Sequence, residues 1–391
     1  MKKFLRIFLL SLWFGAITFP FTGIRDAILL SISITVLLIL WIPINKGFIR
    51  KERIDLAFKK INEWFRLKTQ KRILTLFFIL FLLVLPLFMN NYFIDVTTLT
   101  GIYIILALGL NVVVGLAGLL NLGFVAFYAL GAYSYAILST QAGISFWGSL
   151  PIGILLVAIS GVLLGFPALR LRGDYLAIVT LGFGEMVRLV LNNWDSVTKG
   201  PNGILNIAPP EVGSFAFREP IHYYYLILFF VILTTLAIKR INNSKVGRAW
   251  VAIREDEVAA EAMGIDTIRM KLFAFSFGAM WAGLGGVFFA AKMRFVSPES
   301  FTFFESVIIL CMVILGGMGS IAGVILGAMI LVILPEALRG FENYRMLALG
   351  AGLILIMVFK PEGILGGPRR RAELRPDDEK TLMQEMETIK R

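Results

Sequence analysis

Glu185 and Arg188 stand three residues apart in an otherwise apolar run, DYLAIVTLGFGEMVRLVL (174–191). At helical spacing the two side chains share a face and can pair. Counted from Asp174 at ~1.5 Å per residue, Glu185 lies ~16 Å along the helix, near the middle of a ~30 Å hydrocarbon core. A carboxylate at that depth is costly unless paired, hydrated or protonated. The two are therefore either a structural ion pair or part of the wall of a polar pathway. Thr180, Gly182 and Gly184 thin the same helix, which suits a wall. Asn121 poses a similar question within GLAGLLNLGFVAFYALGAYSYAIL (115–138), because a lone amide in hydrocarbon needs a hydrogen-bond partner or a wet cavity. With Gly123 and Phe127 nearby, the candidate pathway residues are Asn121, Gly123, Phe127, Thr180, Gly182, Glu185 and Arg188.

Other chemistry is hard to find. The single Cys311 excludes an intrachain disulfide and a multi-cysteine metal site, and the single His222 excludes a paired-histidine zinc motif. There is no G-x-x-x-x-G-K-[ST] phosphate loop, no G-x-S-x-G elbow and no paired-carboxylate metal cluster. The expectation is a chain without catalytic residues, metal or cofactor of its own. Of its 391 residues, 58% are hydrophobic and 16% charged. Soluble domains average about 45–50% apolar and about 25% charged, so the composition is that of an all-α polytopic membrane protein. The net charge of +12 sits in loops beside apolar spans, as positive-inside topology requires, and does not imply nucleic acid.

The elements that must position these residues are apolar segments at 4–20, 27–44, 73–89, 93–114, 116–138, 147–168, 174–192, 222–238, 272–291, 306–338 and 344–359. The N-terminal run lacks a small-x-small cleavage site and reads as a retained first span. Residues 46–72 form a basic amphipathic segment suited to anionic lipid, with a partner protein as the alternative. The stretch 306–338 is too long for one ordinary span. Either two crossings or two half-helices meeting at Gly316-Gly317-Met318-Gly319 keep the basic 369–371 on the cytoplasmic side. That makes about ten to twelve hydrophobic segments, broken or re-entrant helices among them. Gly319, Gly323 and Gly327 repeat every four residues, and Gly161 and Gly165 make a similar pair. With Gly131, Gly316 and Gly317 they are candidates for close helix packing. The partition expected is 1–92 as an N-terminal membrane extension, 93–366 as the transmembrane domain and 367–391 as a cytoplasmic tail.

One polar interruption remains, SKVGRAWVAIREDEVAAEAMGIDTIRM (244–270). Val251, Val258, Ala259 and Ala262 fall on one stripe at helical spacing, away from Arg254, Asp256, Glu257 and Glu261. Such a helix is either presented to a groove on another protein or laid on lipid headgroups.

This loop resembles the cytoplasmic coupling loop of ATP-binding-cassette importers, whose pattern is Glu-Ala-Ala, three residues, then Gly. Here Val258 stands where that pattern has its acid, followed by Ala259, Ala260, Glu261, Ala262, Met263 and Gly264, with Glu257 one place earlier. Together with Lys245–Ala249, Ile253–Asp256, the 115–138 and 171–204 runs and GGMGSIAGVILGA, the match resembles the branched-chain amino acid permease family, LivM type. It covers roughly residues 95–366. Where the family usually has a small hydroxyl residue, this chain has Asn121. The resemblance implies a permease subunit of an ATP-driven importer for branched-chain or other hydrophobic amino acids. It implies a second permease subunit, two ATPase subunits that hold ATP and Mg, and an external substrate-binding protein. The coupling residues it implies are Gly247, Arg248, Arg254, Glu255, Asp256, Ala259, Ala260, Ala262 and Gly264. A urea or short-amide importer is the alternative within the same machinery, and an ATP-independent secondary transporter or channel is the alternative outside it.

Overall fold

The computed structural model describes residues 82–168, 171, 173–213 and 215–337, with positions 350, 354, 360 and 363–365 beyond them. The chain divides into two compact units, Met1–Leu85 and Pro86–Arg391, and every helix named here belongs to the second. The segments expected at 4–20 and 27–44, the basic stretch 46–72, the tail 367–391 and nearly all of 344–359 lie outside the described residues.

The helices that build the bundle begin with α1 (Asn91–Leu110, continued by π turns over Asn111–Leu116), α2 (Phe124–Thr140), α3 (Phe146–Ala168), α4 (Asp174–Asn193) and α5 (Pro220–Asn242). After these come α6 (Lys245–Glu255), α7 (Glu257–Ala262), α8 (Thr267–Met293), α9 (Phe303–Gly316) and α10 (Ile321–Ala337). By length and composition, five described helical stretches can cross a membrane: Asn91–Leu116, Phe146–Pro167, Pro220–Asn242, Thr267–Met293 and Pro298–Gly316. The chain is an all-α polytopic membrane protein whose only described strands are two short ribbons. One pairs β1 (Ile204–Leu205) with β4 (Phe295–Val296), the other β2 (Glu211–Val212) with β3 (Phe215–Ala216).

The axis of the bundle is α8, a helix apolar on all sides and therefore one that belongs in the interior. It packs on α1, α2 and α3. Lipid is as apolar as leucine, so helices in a bilayer associate by close packing, and small residues permit it. In α8 the bare Cα of Gly278 faces Gly109 and Val113, and that of Gly283 faces Val157. Gly285 receives Leu106, and Gly286 lies against the backbone of Tyr128 and Ala132. Gly131 packs on the backbone of Gly283, and Gly161 lies over Phe275 and Ala279. The glycines of α8 are not among the expected packing positions, although they stand in plain view within LFAFSFGAMWAGLGGVFFAA (272–291).

Two expected segments are broken. Residues 116–138 are not one span: α1 ends at Leu116 and α2 begins only at Phe124, with the stretch between them non-helical and mostly buried. The Phe124 ring lies against Gly109, seven residues before the end of α1, so the link 117–123 climbs back into the bundle. Ala117 N and Leu119 N return to the Val112 and Val113 carbonyls and Gly123 N to Asn121 Oδ1, while one donor of the link and one in the first turn of α2 find distant side chains. Leu122 N donates to Thr180 Oγ1 (3.0 Å) and Val125 N to Ser306 Oγ (3.0 Å). Irregular backbone at membrane depth is tolerated only when protein or water satisfies it in this way.

The long stretch 306–338 resolves into α9 and α10, a hairpin of two helices broken at Gly317–Ser320. Gly316 packs on Gly323, and Gly327 on Met312 and Gly316. Gly319 does not belong with Gly323 and Gly327 on one helix face, as its spacing suggested. It precedes α10 with φ +85°, next to Gly317 at φ +106°, and both lie in the left-handed region that favours glycine. Residues 363–365 return to this break, where Ile364 N and Leu365 N donate to the Leu315 and Gly316 carbonyls (2.8 and 3.2 Å). These carbonyls end α9 and have no donor within it.

Candidate functional site

The polar interruption folds as a helical stub, two short helices rather than one. Ser244 Oγ accepts from Val246 N and Gly247 N (3.2 and 3.4 Å) and starts α6. Asp256 Oδ1 accepts from Val258 N and Ala259 N (2.9 and 3.0 Å) and starts α7. Asp266 Oδ1 does the same for α8 through Arg269 N (3.0 Å). Short polar side chains at these positions satisfy donors that a helix start leaves open. Gly264 closes α7 at φ +83°, with Gly264 N on the Glu261 carbonyl (2.9 Å) and Ile265 N on the Ala260 carbonyl (3.1 Å). That is the left-handed C-terminal cap for which glycine is favoured.

One side of the stub is nailed to the bundle. Trp250 is fully buried; its Nε1 donates to the Met270 carbonyl (2.8 Å) and its ring stacks on Phe273 at 5.6 Å. Gly247 sits so close to the Ile241 and Asn242 carbonyls that a Cβ would overlap them. Glu257 Oε1 meets the buried Lys271 Nζ at 2.5 Å. The acid one place early in the pattern therefore serves within this chain. Ala260 is also turned inward, with Ile253. Arg254 Nη1 donates to the Gly115 carbonyl and its Nη2 to Glu255 Oε1 (3.0 Å). Arg248 Nη1 reaches the Asn243 carbonyl at 3.3 Å from an exposed position.

The other side is open. Val251 on α6, Val258, Ala259 and Ala262 on α7, and Met263 after it are all exposed, Met263 at 82% and Val258 at 66%. The residues of the expected stripe are thus divided between two helices and exposed, as are Asp256 and Glu261. The inward side is fixed by a tryptophan and an ion pair, and the exposed side carries small and apolar residues beside Glu255, Asp256 and Glu261, an arrangement that suits either a groove on a partner or lipid headgroups.

The pathway candidates fall into two groups. Asn121, Gly123, Phe127 and Thr180 are buried where the link and α2 meet α4. Gly123 lies on the backbone of Thr180 and Gly184 so closely that no side chain fits. Asn121 Oδ1 accepts from Gly123 N (2.9 Å), while its buried Nδ2 has no partner. The Phe127 ring meets Phe183 at 5.8 Å. Gly182, Glu185 and Arg188 occupy the more open side of α4. A Cβ on Gly182 would meet nothing within 4 Å. Arg188 Nε pairs with Glu185 Oε2 at 2.9 Å, and Arg188 Nη1 also faces Glu299 Oε1 at 3.9 Å. Glu299 is not among the expected residues, nor is Glu305, whose Oε2 accepts from Tyr103 Oη across 202 residues of sequence (2.7 Å). A lone acid at the edge of an apolar run gives no spacing signal that points to a distant partner. Among the described residues no group of three or more His, Cys, Asp or Glu could hold a metal.

The family described as "Branched-chain amino acid transport system / permease component" matches residues 92–358. The high-affinity branched-chain amino acid transport system permease protein LivM of Escherichia coli (strain K12) is 47% identical over 313 residues, covering 74% of this chain and 73% of that protein. A probable LivM of Methanocaldococcus jannaschii is 27% identical over 319 residues, covering 68% and 90% respectively. The permease protein LivH of Salmonella typhimurium is 27% identical over 291 residues, covering 69% and 93%. No solved structure matches the chain. The broken α9–α10 hairpin, the capped stub and the glycine-packed α8 are thus found in a chain that belongs to the permease component family of branched-chain amino acid transport systems.

Proposed function

We propose that this chain is the transmembrane permease subunit of an ATP-driven importer of branched-chain and other hydrophobic amino acids in the bacterial inner membrane. It works beside a second permease subunit related to it, with two ATPase subunits on the cytoplasmic side and an external substrate-binding protein. ATP and magnesium bind on the ATPases; this chain contributes the pathway wall and the coupling surface. The observation that carries the reading is the stub, with Trp250 and the Glu257–Lys271 pair fixing one face and Val258, Ala259, Ala262 and Met263 presented on the other. Movement of a docked ATPase would displace α6 and α7 and switch the access of the cavity. Driving such a switch from 1:99 to 99:1 takes ~5.5 kcal/mol of differential binding, which ATP binding on the partner supplies.

Uptake of labelled leucine and labelled urea, measured in cells whose own systems are deleted and which express this chain with its partners, tests the substrate. Leucine uptake abolished by loss of this chain is the expected result. Urea uptake without leucine uptake would transfer the chain to the short-amide class.

The pathway wall is assigned to the open side of α4, with Gly182, Glu185 and Arg188 nearest the substrate and Asn121, Gly123, Phe127 and Thr180 supporting them. Glu185→Gln is expected to cut leucine uptake several-fold at normal membrane levels. It leaves Arg188 with only Glu299, whose side chain is 73% exposed and 3.9 Å away. If adding Arg188→Met to Glu185→Gln restores uptake, the pair is structural, because removing both charges leaves none stranded. If the double variant is at least as impaired, the charges act in the pathway itself.

A further inference from the structure

The sequence joins the stub to α5 before it and α8 after it, so these are the helices a moving stub would pull. The side chains draw a different connection. Arg254, in the last turn of α6, donates through Nη1 to the Gly115 carbonyl, in the π turns that end α1. The last carbonyls of a helix have no donor within it, and a cation is favoured there by the helix dipole. Gly118, at φ +73°, is bare where Arg254 passes, and a Cβ there would overlap Arg254 Cγ. Asn111 opens the same π turns and is fully buried; its Oδ1 accepts from Gly319 N at 2.8 Å. Gly319 belongs to the break between α9 and α10. The bare Cα of Gly115 lies between Asn111 Oδ1 and Gly319 N, close enough that a Cβ would overlap both. Arg254, Gly115, Asn111 and Gly319 thus form one continuous series of contacts, in which each link but Arg254 is backbone or a fully buried amide.

We propose that Arg254 is the positioning residue through which displacement of the stub reaches the π turns of α1 and the α9–α10 break, neither of which is joined to the stub in sequence. The inference rests on the reading that α6 and α7 dock the ATPase. Arginine suits the task because its planar fork bonds the Gly115 carbonyl and the Glu255 carboxylate together, where a lysine offers a point charge. Withdrawing the guanidinium strips the end of α1 of its cap. Residues in π turns sit one register step from the α form, so the end of α1 has a second arrangement close by. Asn111 passes any such step to Gly319.

The test uses the complete importer in proteoliposomes, with binding protein, leucine and ATP. Arg254→Met is compared with wild type in complexes purified with their full complement of ATPase, so that the readout is a ratio and not an amount bound. Leucine imported per ATP hydrolysed should fall about tenfold, within the range of ordinary allosteric couplings. Arg254→Lys should restore part of that ratio. A purely structural cap would lower protein yield and leave the ratio at the wild-type value in the protein that remains, and that result would overturn the proposal. A second measurement needs no variant: amide exchange over residues 317–320 of the wild-type complex should rise several-fold when a non-hydrolysable ATP analogue is bound. Unchanged exchange there would also overturn it. The docking reading fails separately, if Ala259→Asp and Gly264→Val both retain the ATPase and its stimulation.

Discussion

Ala259→Asp should release the ATPase subunits from the purified complex while leaving the permease inserted and folded. Ala259 is exposed on the outward face of α7, so the substitution meets solvent in the free chain and costs the fold little. Against a partner it places a carboxylate in an apolar seat without a counter-charge, and losses of ~2–4 kcal/mol are usual for hot-spot positions. That corresponds to an affinity lower by about 30-fold or more. Gly264→Val should act in the same direction by another route. Gly264 holds φ +83°, where a β-branched residue is strained by about 1–2 kcal/mol, and the cap that ends α7 would open. Co-purification of the ATPase and its stimulation by loaded binding protein are the measurements. Retention of both in both variants would mean that the stub rests on lipid headgroups. Ala260 is no substitute in this experiment, because it is buried and its replacement would report on folding.

Gly286→Leu should abolish accumulation of folded permease. A Cβ on Gly286 would lie 2.6 Å from Ala132 N and closer still to the Tyr128 carbonyl. Both are backbone atoms, so α2 would have to retreat from α8. Overpacking costs ~1–3 kcal/mol where side chains can give way, and here none can. Quantitative membrane blots and detergent thermal stability read the effect, expected as a loss of about tenfold or more in folded protein. Gly182→Ala is the matched control, since it faces open space, and its protein level should be that of wild type. Normal accumulation of Gly286→Leu would mean that the packing of α2 on α8 contributes little to the fold.

Much of this architecture is legible in the residues. The starts and ends of α1, α3, α5 and α8 lie close to the limits of the apolar runs, because a bilayer imposes one length on every crossing. The cap at Gly264 is legible too, a glycine directly after a short helical stripe. The break at 117–123 is not. Its residues, AGLLNLG, are as apolar as a span, and the side chains that bond Leu122 within it and Val125 just after it are Thr180 and Ser306, far along the chain. Trp250 is hidden for the opposite reason: it stands in a polar loop, and only the fold brings Phe273 and the Met270 carbonyl to it. The Glu185–Arg188 pair is legible because a helix puts such residues within reach, whereas Glu299 reaches Arg188 from another element. Local geometry can be read from spacing; partners supplied by a distant segment cannot.

The unwound link also constrains how the protein is made. Val125 receives its acceptor from a residue 181 positions later, and Leu122 from one 58 positions later. At ~5–20 residues per second, Ser306 leaves the ribosome about 10–40 s after Val125. Through that interval the Leu122 and Val125 amides lack these acceptors and cannot lie bare in lipid. A continuous helix that bonds its own backbone would satisfy them until α4 and then α9 arrive. On that route the native break forms late in biogenesis. A chain released from the ribosome before Ser306 would hold a straight helix where the finished permease has a broken one.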